Sequence, residues 1–266
     1  MARLHLFEWE DQPWLPAALR DFITDHLRYT FSAPRAAPIR RTIADIVAPV
    51  VVRSRADSIV DVCSGGGGPL PAVLPLIEQI ASRPLRATLT DLFPNQRAFE
   101  EVERATAGKV RGEMRPVSAF DVPEGLGTLQ TLFTAFHHFD ETSARKVLAD
   151  AAAKGRSIAI IEPFRRKDAA LVAVGGFIRG LVETPRVGRL TLARALLTYP
   201  IPISALVLAW DGFVSCLRAY SPDEMLRLAH DAAPSGYRWQ AGFKAIEGSP
   251  LGLEIAYLIG EPVRTA

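Results

Sequence analysis

The chain has 266 residues, 48% of them apolar and 23% charged, with a net charge of +2. That length allows one large domain, or one domain with a cap, and a sizeable core. The near-neutral charge gives no electrostatic footprint for nucleic acid, and two lone cysteines make neither a disulfide framework nor a zinc pattern. The first residues, MARLHLFEWEDQPW, carry acids and tryptophans where an export signal needs an unbroken apolar run, so a reduced cytoplasmic compartment is expected.

Residues 1–52 read as an N-terminal helical cap. An aromatic turn at Glu10–Trp14 precedes a helix over Pro16–Arg28, with Leu19, Phe22, Ile23 and Leu27 on one face, and a second helix covers Ala37–Val52. Ser58–Leu74 (SIVDVCSGGGGPLPAVL) is the most informative stretch. A short β-branched strand ends in Asp61, four glycines follow, and Pro69 opens an apolar-periodic helix. Glycine lets backbone N–H groups come close to a ligand, and the helix N-terminus favours electron-rich groups. The pattern predicts a nucleotide-type cofactor loop in an open α/β sheet.

Ala87–Asp91 (ATLTD) predicts a second strand whose terminal acid is placed to accept hydrogen bonds from ribose hydroxyls. Arg115–Pro123 (RPVSAFDVP) reads as a third strand, Thr128–Phe136 contains a buried fourth, and Ser157–Ile161 is a fifth ending at Glu162. Helical patterns over Pro69–Ser82, Asn95–Ala107 and Glu141–Ala153 separate them, so a parallel sheet with crossovers is expected.

At this point the chain resembles the class I S-adenosylmethionine-dependent methyltransferases. The motifs DVCSGGGG, TDLF and AFHHFD carry the likeness over residues 57–162. AYSPDEMLRLAHDA, YRWQAGFKAI and LGLEIAYLIGEP extend it over 219–262 as a late helix and a closing pair of strands. The resemblance implies a doubly wound, mostly parallel seven-stranded sheet whose last strand is antiparallel. It implies S-adenosyl-L-methionine as cofactor, S-adenosyl-L-homocysteine as product, and a cofactor site drawn from Asp61, Cys63, Gly65, Gly67, Asp91, Leu92, Ser118, Ala119, Phe120 and Phe136. Two positions depart from the family. Cys63 stands where glycine is usual, and Ser118 where an acid often meets the adenine amino group, leaving that contact to the Ser118 hydroxyl or to Asp121.

The expected parts are therefore the cap (1–52), a cofactor-binding core (53–164), an apolar helical insertion (165–218) and a C-terminal return to the core (219–266). The insertion opens with Arg165–Arg166–Lys167, and its stretch Leu190–Trp210 is very apolar but broken by Arg194, Pro200 and Pro202. A helix–break–helix lid over the substrate is favoured over an interfacial membrane contact through 168–210 or a dimer interface.

For chemistry, His137 and His138 follow the fourth strand at the edge where ligands bind in open α/β folds, and histidine suits removal of a hydroxyl proton. The competing role is packing beside the cofactor and bonding to a loop. Trp14, His26 and Glu162 are candidates for substrate contact, although His26 also reads as a partly exposed surface histidine and Glu162 as a structural acid. No metal-ligand spacing is evident. The expectation is a methyltransferase acting at oxygen on a lipophilic or aromatic small molecule, as a monomer or homodimer with no nucleic-acid partner. The alternatives are a cofactor-binding protein with a non-methylating, cyclase-like reaction, a peripheral membrane binder, and a nicotinamide-dependent oxidoreductase. The closing strand pair and AFHHFD argue against the last.

Overall fold

A computed structural model describes residues 2–188, 190–233, 235–249 and 251–263. The chain divides into two compact units, one made of Met1–Thr30 with Phe164–Tyr220, the other of Phe31–Pro163 with Ser221–Ala266.

The larger unit is built on seven strands: β1 (Ser58–Asp61), β2 (Arg86–Leu89), β3 (Val110–Gly112), β4 (Leu129–Phe133), β5 (Ser157–Glu162), β6 (Tyr237–Ala245) and β7 (Glu254–Pro262). Their order across the sheet is β3-β2-β1-β4-β5-β7-β6. The pairings from β3 through β5 are parallel, and β7 runs antiparallel to both β5 and β6. The expected architecture is therefore present, and strand order reverses at β1.

Both faces of the central strands are buried, as a parallel sheet requires. Ile59, Leu129, Phe133, Ala159 and Ile161 point into a cluster with side chains of α2 (Ala37–Ser54), α3 (Leu70–Ala81) and α4 (Gln96–Ala105). Val60, Leu132, Ile158 and Ile160 alternate with them and are also buried. Helices α5 (Glu141–Ala153) and α9 (Pro222–Ala232) pack on each other and on the closing strands. Local chemistry sets the helix starts. Asp140 caps α5 by accepting from Ser143 N at 2.7 Å, and Ser221 with Glu224 forms a complete capping box on α9, with Pro222 in its first turn.

The smaller unit holds α1 (Ala17–Ser32, which crosses the boundary at its end), α6 (Ala169–Val182), α7 (Leu192–Thr198) and α8 (Ile203–Arg218). Leu15, Phe22 and Ile23 bury against Val207 of α8. The break expected at Pro200–Pro202 separates α7 from α8, which meet at 66°.

Three expectations change. The third strand is Val110–Gly112, and Arg115–Pro123 is a loop: Val117, Ala119 and Val122 are buried, but Val117 N–H reaches Asp91 O at 2.8 Å and Val122 N–H a side chain, Asp150, with no strand ladder. Leu27 is 39% exposed, so its place on the apolar face of α1 is taken by His26. The stretch 1–52 does not stay together: α2 has Ile43, Val47, Val50 and Val51 in the sheet's core cluster, and α1 belongs with the insertion.

Candidate active site

The candidate site lies along the carboxyl edge of the sheet, where β1 and β5 end in acids and β2 and β4 run into polar residues just past their ends. Asp61 closes β1 and is buried. One carboxylate oxygen accepts from Thr131 Oγ1 at 2.7 Å, the other from Ser64 Oγ at 2.7 Å. Burial pushes its pKa up to about 7 against these hydrogen bonds, and the charge of Asp91 adds to the rise. Asp61 thus braces the glycine loop from below. Thr90 ties the second strand to the same point, its N–H and Oγ1 donating to Asp61 O at 2.8 and 2.9 Å.

Asp91 sits just past β2 and faces the loop. Its Oδ2 accepts from Gly65 N at 2.8 Å, and its Oδ1 from Phe93 N at 2.9 Å. The four glycines are not equivalent. Gly65 has φ +53°, and a Cβ there would meet no atom within 4 Å, so its missing side chain leaves open space above the loop. Gly67 has φ +105°, and a Cβ there would lie 3.1 Å from Val102 Cγ2, so this glycine is required by packing against α4. Cys63 occupies the left-handed region at φ +56°, as the departure from glycine implies. Burial, with Asp91 and Asp61 nearby, pushes its thiol up and away from nucleophilic use.

Leu92 and Phe93 do not enter the core. They are 51% and 82% exposed, beside an acid whose loop is open above Gly65. Ser118 accepts from Phe120 N at 3.2 Å and so shapes its own turn, Ala119 is buried, and Phe120 is exposed with its ring against Phe139 at 5.6 Å. Asp121, the alternative to Ser118, is held by Lys154 at 2.7 Å.

The turn after β4 is organised by Glu162. This residue is fully buried. Its Oε1 accepts from Phe136 N at 2.6 Å and His137 N at 3.3 Å, and its Oε2 lies 2.9 Å from His137 Nδ1. With the carboxylate as acceptor, Nδ1 carries the proton, which leaves the basic lone pair on Nε2. The His138 ring stacks on His137 with centroids 4.3 Å apart and is the more exposed of the two.

These contacts revise several expected roles. Glu162 orients His137 and does not present a free oxygen for a substrate. Phe136 is fully buried, so it supports the turn from within and has no surface for a cofactor. His26 is buried, not partly exposed, with its ring 4.3 Å from Phe22 and Nε2 3.3 Å from Thr184 Oγ1. Trp14 is 63% exposed against Trp9, and both Trp14 and His26 belong to the smaller unit. Thr131, Ser64 and Thr90 are the members sequence reasoning missed; the only signal was a hydroxyl within or just past an otherwise apolar strand.

The geometry suits an adenosyl group. An open cradle at Gly65, an acid at the end of β2 and exposed apolar side chains next to it supply room, a hydroxyl acceptor and a flat-ring contact. No protein-family model and no curated protein matches the chain. Solved structures do. A putative O-methyltransferase from Nostoc punctiforme is similar with a TM-score of 0.51 at 14% identity, over 98% of this chain and 64% of its own. An O-methyltransferase of neocarzinostatin biosynthesis, in complex with S-adenosyl-L-homocysteine and 1,4-dihydroxy-2-naphthoic acid, gives 0.52 at 19% identity, over 96% of this chain and 61% of its own. The plantazolicin methyltransferase BpumL, in complex with a pentazolic desmethyl analogue and S-adenosyl-L-homocysteine, gives 0.54 at 10% identity, over 92% of this chain and 98% of its own. The chain thus spans a little over three fifths of the first two and nearly all of the third. The chain has the class I methyltransferase fold.

Proposed function

We propose that this protein is an S-adenosyl-L-methionine-dependent methyltransferase acting on a lipophilic or aromatic small molecule at oxygen. The observation that carries the cofactor is Asp91, which ends the second strand 2.8 Å from the Gly65 N–H at the point where strand order reverses. In this reading Asp91 accepts the ribose hydroxyls, Gly65 gives the cofactor its approach, and Leu92 and Phe93 cover the adenine. The bound cofactor supplies a methyl group on a sulfonium.

The acceptor must be held close and on axis, and its hydroxyl must lose a proton. His137 is suited to take that proton at Nε2, and because the residue is 1% exposed the acceptor must enter the turn to reach it. Glu162 fixes its tautomer and stabilises the imidazolium that forms, and the stacked His138 limits rotation of the ring. The 1,4-dihydroxy-2-naphthoic acid bound by one structural neighbour supports the substrate class, as does the apolar character of the exposed residues beside Asp91.

Calorimetry with S-adenosyl-L-homocysteine tests the reading. The wild type is expected to bind it and to ignore NADH. Asp91→Ala is expected to weaken binding by about 1.5–3 kcal/mol, the range for hydrogen bonds to a charged group. Unchanged affinity would show that Asp91 is not the ribose acceptor. With an acceptor found by screening hydroxylated aromatics, His137→Ala should lower turnover by about 10²–10⁴-fold at unchanged cofactor affinity. A loss of only severalfold would mean that positioning alone drives the transfer.

A further inference from the structure

We propose that the smaller unit docks on an anionic lipid surface through the outer face of α6 and α7, lying in the interface without crossing it. The two faces of α6 differ in kind. One face meets α8 through small residues: a Cβ on Gly176 would lie 3.0 Å from Leu208 O, and one on Gly180 would lie 2.7 Å from Ala205 Cα. That close backbone approach through two glycines four residues apart is the packing helices use where water does not drive them together. The other face carries Val174, Ile178 and Val182, four residues apart and all exposed. α7 is also apolar and exposed, with Leu192 at 76% and Leu196, and the break adds Ile201 at 62%. Tyr199, at the end of α7, donates to Leu181 O of α6 at 3.5 Å and joins the two rows.

Charge selects the occupant. Residues 164–210 contain seven Lys or Arg against two acids, Asp168 and Glu183. Those acids are paired with Arg165 and Arg179, and Arg194 with Asp25 of the same unit, while Lys167 and Arg186 are exposed. An apolar face bordered by an excess of cations matches the acyl–headgroup boundary of an anionic leaflet. Among the described residues no single helix is long and apolar enough to cross a membrane, and the α7–α8 pair that passes by length and composition is bent by 66°. That geometry suits a segment lying along a surface.

The test is vesicle flotation of the full chain. It is expected to float with phosphatidylcholine vesicles containing phosphatidylglycerol and much less with phosphatidylcholine alone, with binding weakened by salt. Ile178→Glu with Leu192→Glu should lower the bound fraction about tenfold by placing charge in the apolar face. Arg186→Glu, which leaves that face intact, should weaken binding to the anionic vesicles only. Both variants change exposed positions, and far-UV circular dichroism with the thermal midpoint serves as the fold control, so the lipid result is read separately from the methyltransferase reading. Failure to float with anionic vesicles would overturn the proposal, as would equal flotation of the double variant. A lipid-free dimer in sedimentation velocity that the double variant dissolves would give the face to a second copy instead.

Discussion

Removing the Glu162 carboxylate perturbs three contacts at once, so its cost can be worked from the geometry. In Glu162→Ala the Phe136 N–H, bonded at 2.6 Å, and the His137 Nδ1–H, at 2.9 Å, lose their acceptor, and the weaker His137 N–H contact at 3.3 Å goes with them. Both side chains of the pair are 1% exposed, so water does not readily replace it. A buried donor left unsatisfied costs about 1–3 kcal/mol. Two such donors give roughly 2–6 kcal/mol, a large share of the 5–15 kcal/mol that holds a typical domain. Glu162→Gln is gentler and more telling. Its amide oxygen keeps the bond to Phe136 N–H, which turns the amide NH₂ toward Nδ1. Two donors cannot face each other, so the imidazole must move its proton to Nε2. The expected loss is about 1–2 kcal/mol in urea denaturation, with imidazole NMR showing the reversed tautomer. An alanine variant within about 0.5 kcal/mol of wild type, or a glutamine variant with its tautomer unchanged, would refute the assignment of Glu162 as the residue that orients His137.

Three further outcomes are expected. Gly65→Val should abolish S-adenosyl-L-homocysteine binding in calorimetry and cost about 1–2 kcal/mol of stability, since the branched side chain is strained at φ +53° although it meets no atom within 4 Å; retained binding would move the cofactor off this loop. Cys63→Gly should raise stability by about 0.5–1 kcal/mol, because the residue at φ +56° is no longer an L-residue in the left-handed region; a lower melting temperature would count against strain at this site. Asp61 has a folded pKa of about 7, above its unfolded value, so its contribution to stability is complete at acid pH and is lost as pH rises through about 7. Relative to Asp61→Asn, the wild type should therefore gain stability as pH falls from 7 toward 4, at up to about 1.4 kcal/mol per pH unit, and parallel pH profiles would show that Asp61 does not titrate there.

The glycine loop and the strand ends could be read from the residues because each rests on local chemistry. Asp61, Asp91 and His137 all follow short apolar runs that end at one edge of the sheet. The third strand was hidden for a physical reason. Val110–Gly112 is only three residues long and lies at the sheet's border, while Val117, Ala119 and Val122 imitate strand alternation from a buried loop. The polar interior was harder still. Glu162 and His26 are residue types usually found in water, and their partners lie 25 and 158 positions away. Only the i, i+4 spacing of Phe22 and His26 hinted that the ring lies on the buried side of α1. The exposure of Leu92, Phe93 and the α6 stripe was equally invisible, since an apolar residue in sequence reads as core.

The smaller unit is assembled from two stretches of chain, and this sets a clock on its biosynthesis. Leu15, Phe22 and Ile23 leave the ribosome before the sheet of the larger unit, but Val207, against which they bury, is made roughly 185 residues after Phe22. At about 5–20 residues per second, the apolar side of α1 waits on the order of 10–40 s for its partner. The sheet of the larger unit can assemble from β1 through β5 during that interval. The nascent chain therefore carries an unburied N-terminal helix alongside a growing folded core, a species that a chaperone can recognise. A truncation that removes the insertion alone would make this temporary exposure permanent.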